Sequence, residues 1–155
     1  MSSPSRFSIP VYSLKLVRER KASYPVASCP GPDAVAAILH AELDDKPREH
    51  LVAIFLNAQA QPVGLEHVAV GGLTSCATTA REILQGALLA NSASVVVGHN
   101  HIAGSLRASA ADVAMTKALA VAARAVGIPL VDHVIVTPEG GHLSLRDGDH
   151  GIDWG

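Results

Sequence analysis

The sequence predicts a single α/β (α+β) domain: a mixed central sheet flanked by about three helices. Three observations predict it. The 155 residues suit one domain rather than two. Hydrophobic residues make up 48% and charged residues 17%, below the roughly 25% of an average domain, so disorder is excluded. Short apolar runs of strand length alternate with longer segments of helical period, which places helices on the faces of a sheet.

Each element follows in order. Ile9 to Arg18 alternates apolar and polar residues, and 8–18 reads as an edge strand because Pro10 would disturb a central ladder. Residues 19–31, with Pro25, Pro30 and Gly31, read as a loop. Pro32-Asp33 opens a helix to Leu43, with Val35, Ile38 and Leu39 on one face. Leu51 to Leu56 is unbroken apolar chain, as a buried central strand requires. Asn57 to Pro62 makes a hairpin turn into a strand over 62–70. Thr78 to Asn91 is a helix, and Thr79-Ala80-Arg81-Glu82 has the spacing of a capping box. Ala93 to Gly98 is a second buried strand. Ser109 to Val126 is the longest helix, ended by Gly127 and Pro129. Strands at 130–137 and 142–145 complete the sheet, and 146–155 is a polar, loosely held tail.

The charge balance is −2, which argues against a protein dedicated to polyanions. Cys29 and Cys76 form no CxxC pair and read as two reduced thiols. The first residues carry no apolar signal core, and no apolar run approaches the ~18 residues of a membrane span. The expectation is a soluble, cytoplasmic protein.

The chemistry-bearing segment is His99-Asn100-His101, followed by Ser109 and Asp112. Residues i and i+2 on an extended chain point to the same side, so both imidazoles can converge at the end of the 93–98 strand. Asp112 lies in the first turn of the next helix, which returns near that strand end if it packs on the sheet. Two His and one carboxylate leave an open coordination position, the arrangement of a catalytic zinc rather than a closed structural one; ferrous iron takes a similar triad. Against this stands a purely structural reading, in which Ser109-x-x-Asp112 is a capping box and nothing more. The tripeptide His-Asn-His does not make the chain a nuclease of that name, whose residues spread over a longer ββα unit.

The pattern His99-x-His101 with Ser109-x-x-Asp112 resembles the JAMM (MPN+/JAB) metalloprotease motif. The segments 48–57, Gly71-Gly72-Leu73, 80–83, 131–136 and 143–146 resemble the RadC-like JAB branch of that superfamily. The resemblance runs over roughly 8–147, leaving 1–7 as a flexible start and 148–155 as a tail. It implies a JAB/MPN-like domain with cytidine-deaminase-like layering. The helix-hairpin-helix segment of full-length RadC proteins has no counterpart here, so a stand-alone domain is expected. The resemblance further implies one Zn2+ per chain on His99, His101 and Asp112. Glu66 would take the proton of a zinc-activated water and pass it to the leaving nitrogen, and Ser109 would stabilise the oxyanion. Asp132 and Asn100 are the expected acceptors for the imidazoles' second nitrogens, and His133 reads as a core histidine. Ile102 stands where the family usually has proline, which frees the following loop.

Three functions compete. The first is a zinc-dependent hydrolase of peptide or isopeptide bonds acting on a peptide or protein substrate. The second is a non-catalytic interaction module, and the third is a DNA-associated role, disfavoured by the charge. A homodimer through the apolar face of helix 32–43 is open, though an ordinary core explains that face equally well.

Overall fold

The computed structural model describes residues 8–71 and 76–155. Residues 1–7, expected to be flexible, and the Gly72-Leu73 pair of the resemblance lie outside that description. Helix α1 spans Pro32–Leu43, strand β1 His50–Leu56, β2 Pro62–Val70, α2 Cys76–Leu89, β3 Ser94–Asn100, α3 Ala110–Ala125, β4 Leu130–Val136 and β5 His142–Ser144. Five strands form one mixed sheet in the order β2-β1-β3-β4-β5. Among the described residues only β3 and β4 pair in parallel, as the crossover through α3 between them allows. The three helices and five strands make a single α/β domain, consistent with a JAB/MPN-like fold.

The two faces of the sheet explain the unbroken apolar strands. Leu51, Ala53, Phe55, Val95 and Val97 pack under α2 and α3. The residues between them, Val52, Ile54 and Val96, pack under α1. β1 and β3 are buried on both faces and therefore cannot alternate with polar residues. Gly98 permits the closeness of α1: a Cβ there would collide with the Leu39 side chain and the Val134 carbonyl. The apolar face of α1 (Val35, Ile38, Leu39, Leu43) is thus spent on this chain's own core. Among the described residues no helix is long and apolar enough to cross a membrane.

Two expectations are corrected. Residues 8–18 are not a strand. They pair with nothing among the described residues, and Val11, Leu14 and Val17 are 96%, 73% and 83% exposed. Alternation shows that a segment suits an edge, but among the described residues the five-stranded sheet forms without it. Helix α2 is already formed at Cys76, so Thr79 lies inside its first turn rather than at its cap. Other boundaries shift by one or two residues.

One polar cluster fixes the chain before α1. The Glu42 carboxylate, 5% exposed, meets the Arg20 guanidinium, accepts from the Tyr24 hydroxyl at 2.7 Å and contacts His67 Nε2 at 2.6 Å. Burial opposes ionisation of Glu42. The hydrogen bonds from His67, Arg20 and Tyr24 outweigh it and hold the carboxyl down at about 2. Its folded pKa is therefore below its unbound value of 4.5, so it contributes stability above that value and loses it as pH falls towards 2. The stability difference between the wild type and Glu42→Gln should be full above pH 4.5 and shrink as the pH approaches 2. Denaturant titrations in a pH series check this, and a difference independent of pH would refute it.

Candidate metal centre

The site forms where β3 ends and α3 begins. Asn100 closes β3, so His99 lies within the strand and His101 just past it. The Asn100 side chain faces away from both imidazoles: its Oδ1 accepts from the His50 N–H at 2.7 Å and its amide donates to the Arg48 carbonyl at 3.0 Å. It ties the start of β1 to the end of β3 and is not the expected acceptor for a histidine. Helix α3 opens with the expected capping box. Ser109 Oγ accepts from the Asp112 N–H at 3.1 Å, and Asp112 Oδ2 accepts from the Ser109 N–H at 2.7 Å.

The cap does not use up Asp112. Its Oδ1 lies 3.4 Å from His99 Nε2 and its Oδ2 3.5 Å from His101 Nε2, while the two Nε2 atoms are 2.9 Å apart. His99, His101 and Asp112 are the group among the described residues that could hold a metal ion. A tetrahedral ion with ligands at about 2.0–2.1 Å separates them by roughly 3.4 Å, which the two carboxylate–imidazole distances match while the two Nε2 atoms lie closer.

The proton positions decide whether the residues fit a cation. Thr116 Oγ1 donates its one proton to the Asp112 carbonyl at 2.6 Å. It can then only accept from His133 Nδ1, also at 2.6 Å. His133 is fully buried, and burial, then the neighbouring His99 and His101, push its pKa well down, so it is neutral. With its proton on Nδ1, its Nε2 accepts, and the His99 Nδ1–H donates to it at 2.8 Å. Burial, opposed by Asp112 and aided by His101, lowers His99 to about 4, so it too is neutral and its Nε2 is bare. His101 Nδ1 lies 2.7 Å from the Ser105 carbonyl, which can only accept, so Nδ1 carries a proton and Nε2 is the nitrogen turned to the cluster. Two imidazole Nε2 atoms and a carboxylate therefore converge, with the Nδ1 protons held away from the cluster, a donor set that suits a bound cation.

The second-nitrogen acceptors differ from those expected. His133 and the Ser105 carbonyl do the orienting. Asp132 does not: its carboxylate accepts from the His133 N–H, Ser144 Oγ and the Arg146 N–H, joining β4 to the chain after it. Side chains alternate along a strand, so the Asp132 and His133 side chains leave opposite faces of the sheet, and only His133 faces α3. Thr116 was not singled out in the sequence. Its signal was there, one turn after Asp112 on the same helix face.

Glu66 lies outside the cluster. It pairs with Ala53, which pairs in turn with Val97, two residues before His99. Its carboxylate rests over Gly86 of α2, where a Cβ would strike it. Burial and then the charge of Glu82 raise its pKa. Ser109, the N-cap of α3, is exposed, and its cap bond uses the hydroxyl oxygen as acceptor, which leaves the hydroxyl proton for another partner.

A small α/β domain with a His-His-Asp cluster between a strand end and a helix start is the class that fold and site define. The RadC-like JAB domain family matches residues 29–151, and the chain belongs to that family. A UPF0758 protein of Burkholderia mallei is 39% identical over 137 residues, covering 86% of this chain and 49% of the relative. One from Delftia acidovorans is 40% identical over 114 residues, or 74% of this chain and 50% of the relative. One from Bordetella parapertussis is 39% identical over 105 residues, or 68% and 47%. The chain thus spans about half the length of the curated relatives it matches.

Proposed function

We propose that this chain is a zinc-dependent hydrolase of amide bonds in a peptide or protein substrate, working in the cytoplasm. The observation that carries the reading is the convergence of two imidazole Nε2 atoms and a carboxylate on one point. His99, His101 and Asp112 would hold the ion, which when bound supplies Lewis acidity towards water and a carbonyl. The buried thiol of Cys29, free and raised in pKa by burial, is compatible with a reducing compartment.

The chain's own residues supply the rest. Glu66 is the proposed base. Its raised pKa means a greater proton affinity than an ordinary carboxylate has, which favours taking a proton from water and returning it to the leaving nitrogen. Ser109 keeps its hydroxyl proton for an oxyanion while its lone pair caps α3. His133 and Ser105 hold the imidazoles in one tautomer.

Glu66→Gln tests the reading. Metal content should stay unchanged while hydrolysis of a peptide and isopeptide panel falls by at least about 100-fold, the scale of a lost general base. Turnover that survives this substitution would remove Glu66 from the mechanism. One observation favours a second reading, a metal-holding module without catalysis: the Glu66 carboxylate packs over Gly86 rather than in the cluster. That reading expects bound metal and no turnover by the wild type on any member of the panel.

A further inference from the structure

The corrected segment 8–18 carries an inference independent of the metal site. Its alternation is that of a strand, yet among the described residues no backbone hydrogen bond joins 8–28 to the body. Among the described residues the sheet, for its part, ends at β2, a strand of 9 residues with no strand on its outer edge and with Val63 and Val70 52% and 57% exposed. A long unpaired edge is a template for another strand. We propose that residues 8–18 of one copy pair with the β2 edge of a second copy, and reciprocally, giving an arm-exchanged homodimer.

The path of the chain points to a second copy. The Cys29 N–H donates to the Ala60 carbonyl at 2.8 Å, beside the β1–β2 turn. Tyr24 and Arg20 meet Glu42, which contacts His67 further along β2. Going from Cys29 back to Tyr24 and Arg20, the chain moves from the β1–β2 turn to the level of His67, so it enters the arm heading towards the end of β2. To pair with its own β2 it would have to reverse. The stretch Val11–Lys21 contains no Gly, Pro, Asn or Asp, the residues that make tight reversals. A twofold partner needs no reversal.

Size and charge agree. At about 3.3 Å per residue, the arm spans roughly 36 Å and β2 roughly 30 Å, so the strands match in length. The arm brings Lys15 and Arg18. β2 carries one carboxylate, Glu66.

Sedimentation velocity at tens of micromolar, with amide hydrogen exchange, tests the proposal on the full chain. The wild type should run at twice the 16.0 kDa chain mass, with protected amides in both 8–18 and 62–70. Leu14→Pro/Leu16→Pro removes ladder donors from the arm and lies outside the packed body, so circular dichroism should be unchanged. The double variant should run at half the wild-type mass and lose protection at 62–70. A monomeric wild type would overturn the proposal, whether or not its arm is protected. So would a dimer that survives the double variant.

Discussion

Asp112→Ala should strip the protein of metal. Wild-type protein prepared without chelator should carry about one zinc ion per chain, and the variant close to none, by elemental mass spectrometry. The expectation is large because Asp112 is the only acidic donor in the cluster, facing both Nε2 atoms at 3.4 and 3.5 Å. The substitution also removes half of a capping box, a loss of about 1 kcal/mol of stability. Ser109→Ala separates the two roles. It should cost a similar stability while leaving the zinc content at the wild-type level, since Ser109 is not among the three converging donors. Absence of metal from the wild type after zinc is added back would reduce Asp112 to a cap.

His133→Phe should weaken zinc binding by about 10- to 100-fold, the usual scale for losing the partner that orients a metal-binding imidazole. The reasoning runs through protons. His133 Nε2 accepts the His99 Nδ1–H, which leaves His99 Nε2 bare. A phenyl ring fills most of the same volume but accepts no such bond. His99 is then free to carry its proton on Nε2, where it blocks the ion. The variant also leaves the Thr116 hydroxyl without its donor from His133. Thr116→Val tests the relay one link further away. It removes the acceptor that fixes His133 Nδ1–H, so it should weaken zinc in the same direction but less, because Asp112 and His101 are untouched. Competition with a chromophoric chelator reads both affinities. Unchanged affinity in His133→Phe, in a variant with wild-type circular dichroism, would make His133 a core residue only.

The cap and the metal centre stood as rival readings of Ser109-x-x-Asp112, and the structure shows that they are compatible. A carboxylate has two oxygens and about four lone-pair directions. Asp112 commits Oδ2 to the Ser109 N–H and still faces both imidazoles. The cap also fixes where that carboxylate points, so the residue that starts the helix aims the ligand.

How much was legible follows from what is local. Helix α1, the buried strands β1 and β3, and the placement of His99, His101 and Asp112 at a strand end and a helix start depend on period, turn residues and caps within a few positions. The sequence by itself determined these, together with the family resemblance that the matched residues 29–151 bear out. The rest was decided between elements far apart along the chain. His99 meets His133 because β3 and β4 pair in parallel with Val97 opposite His133, and Thr116 reaches His133 because α3 packs on that face. Asp132, one residue away, turns to the other face and serves β5 instead. Alternation in 8–18 showed a strand's pattern without showing whether this chain's own sheet takes it up, and it does not. A hydrogen-bond partner across a sheet is set by register and by which face is covered, and one chain's local pattern specifies neither.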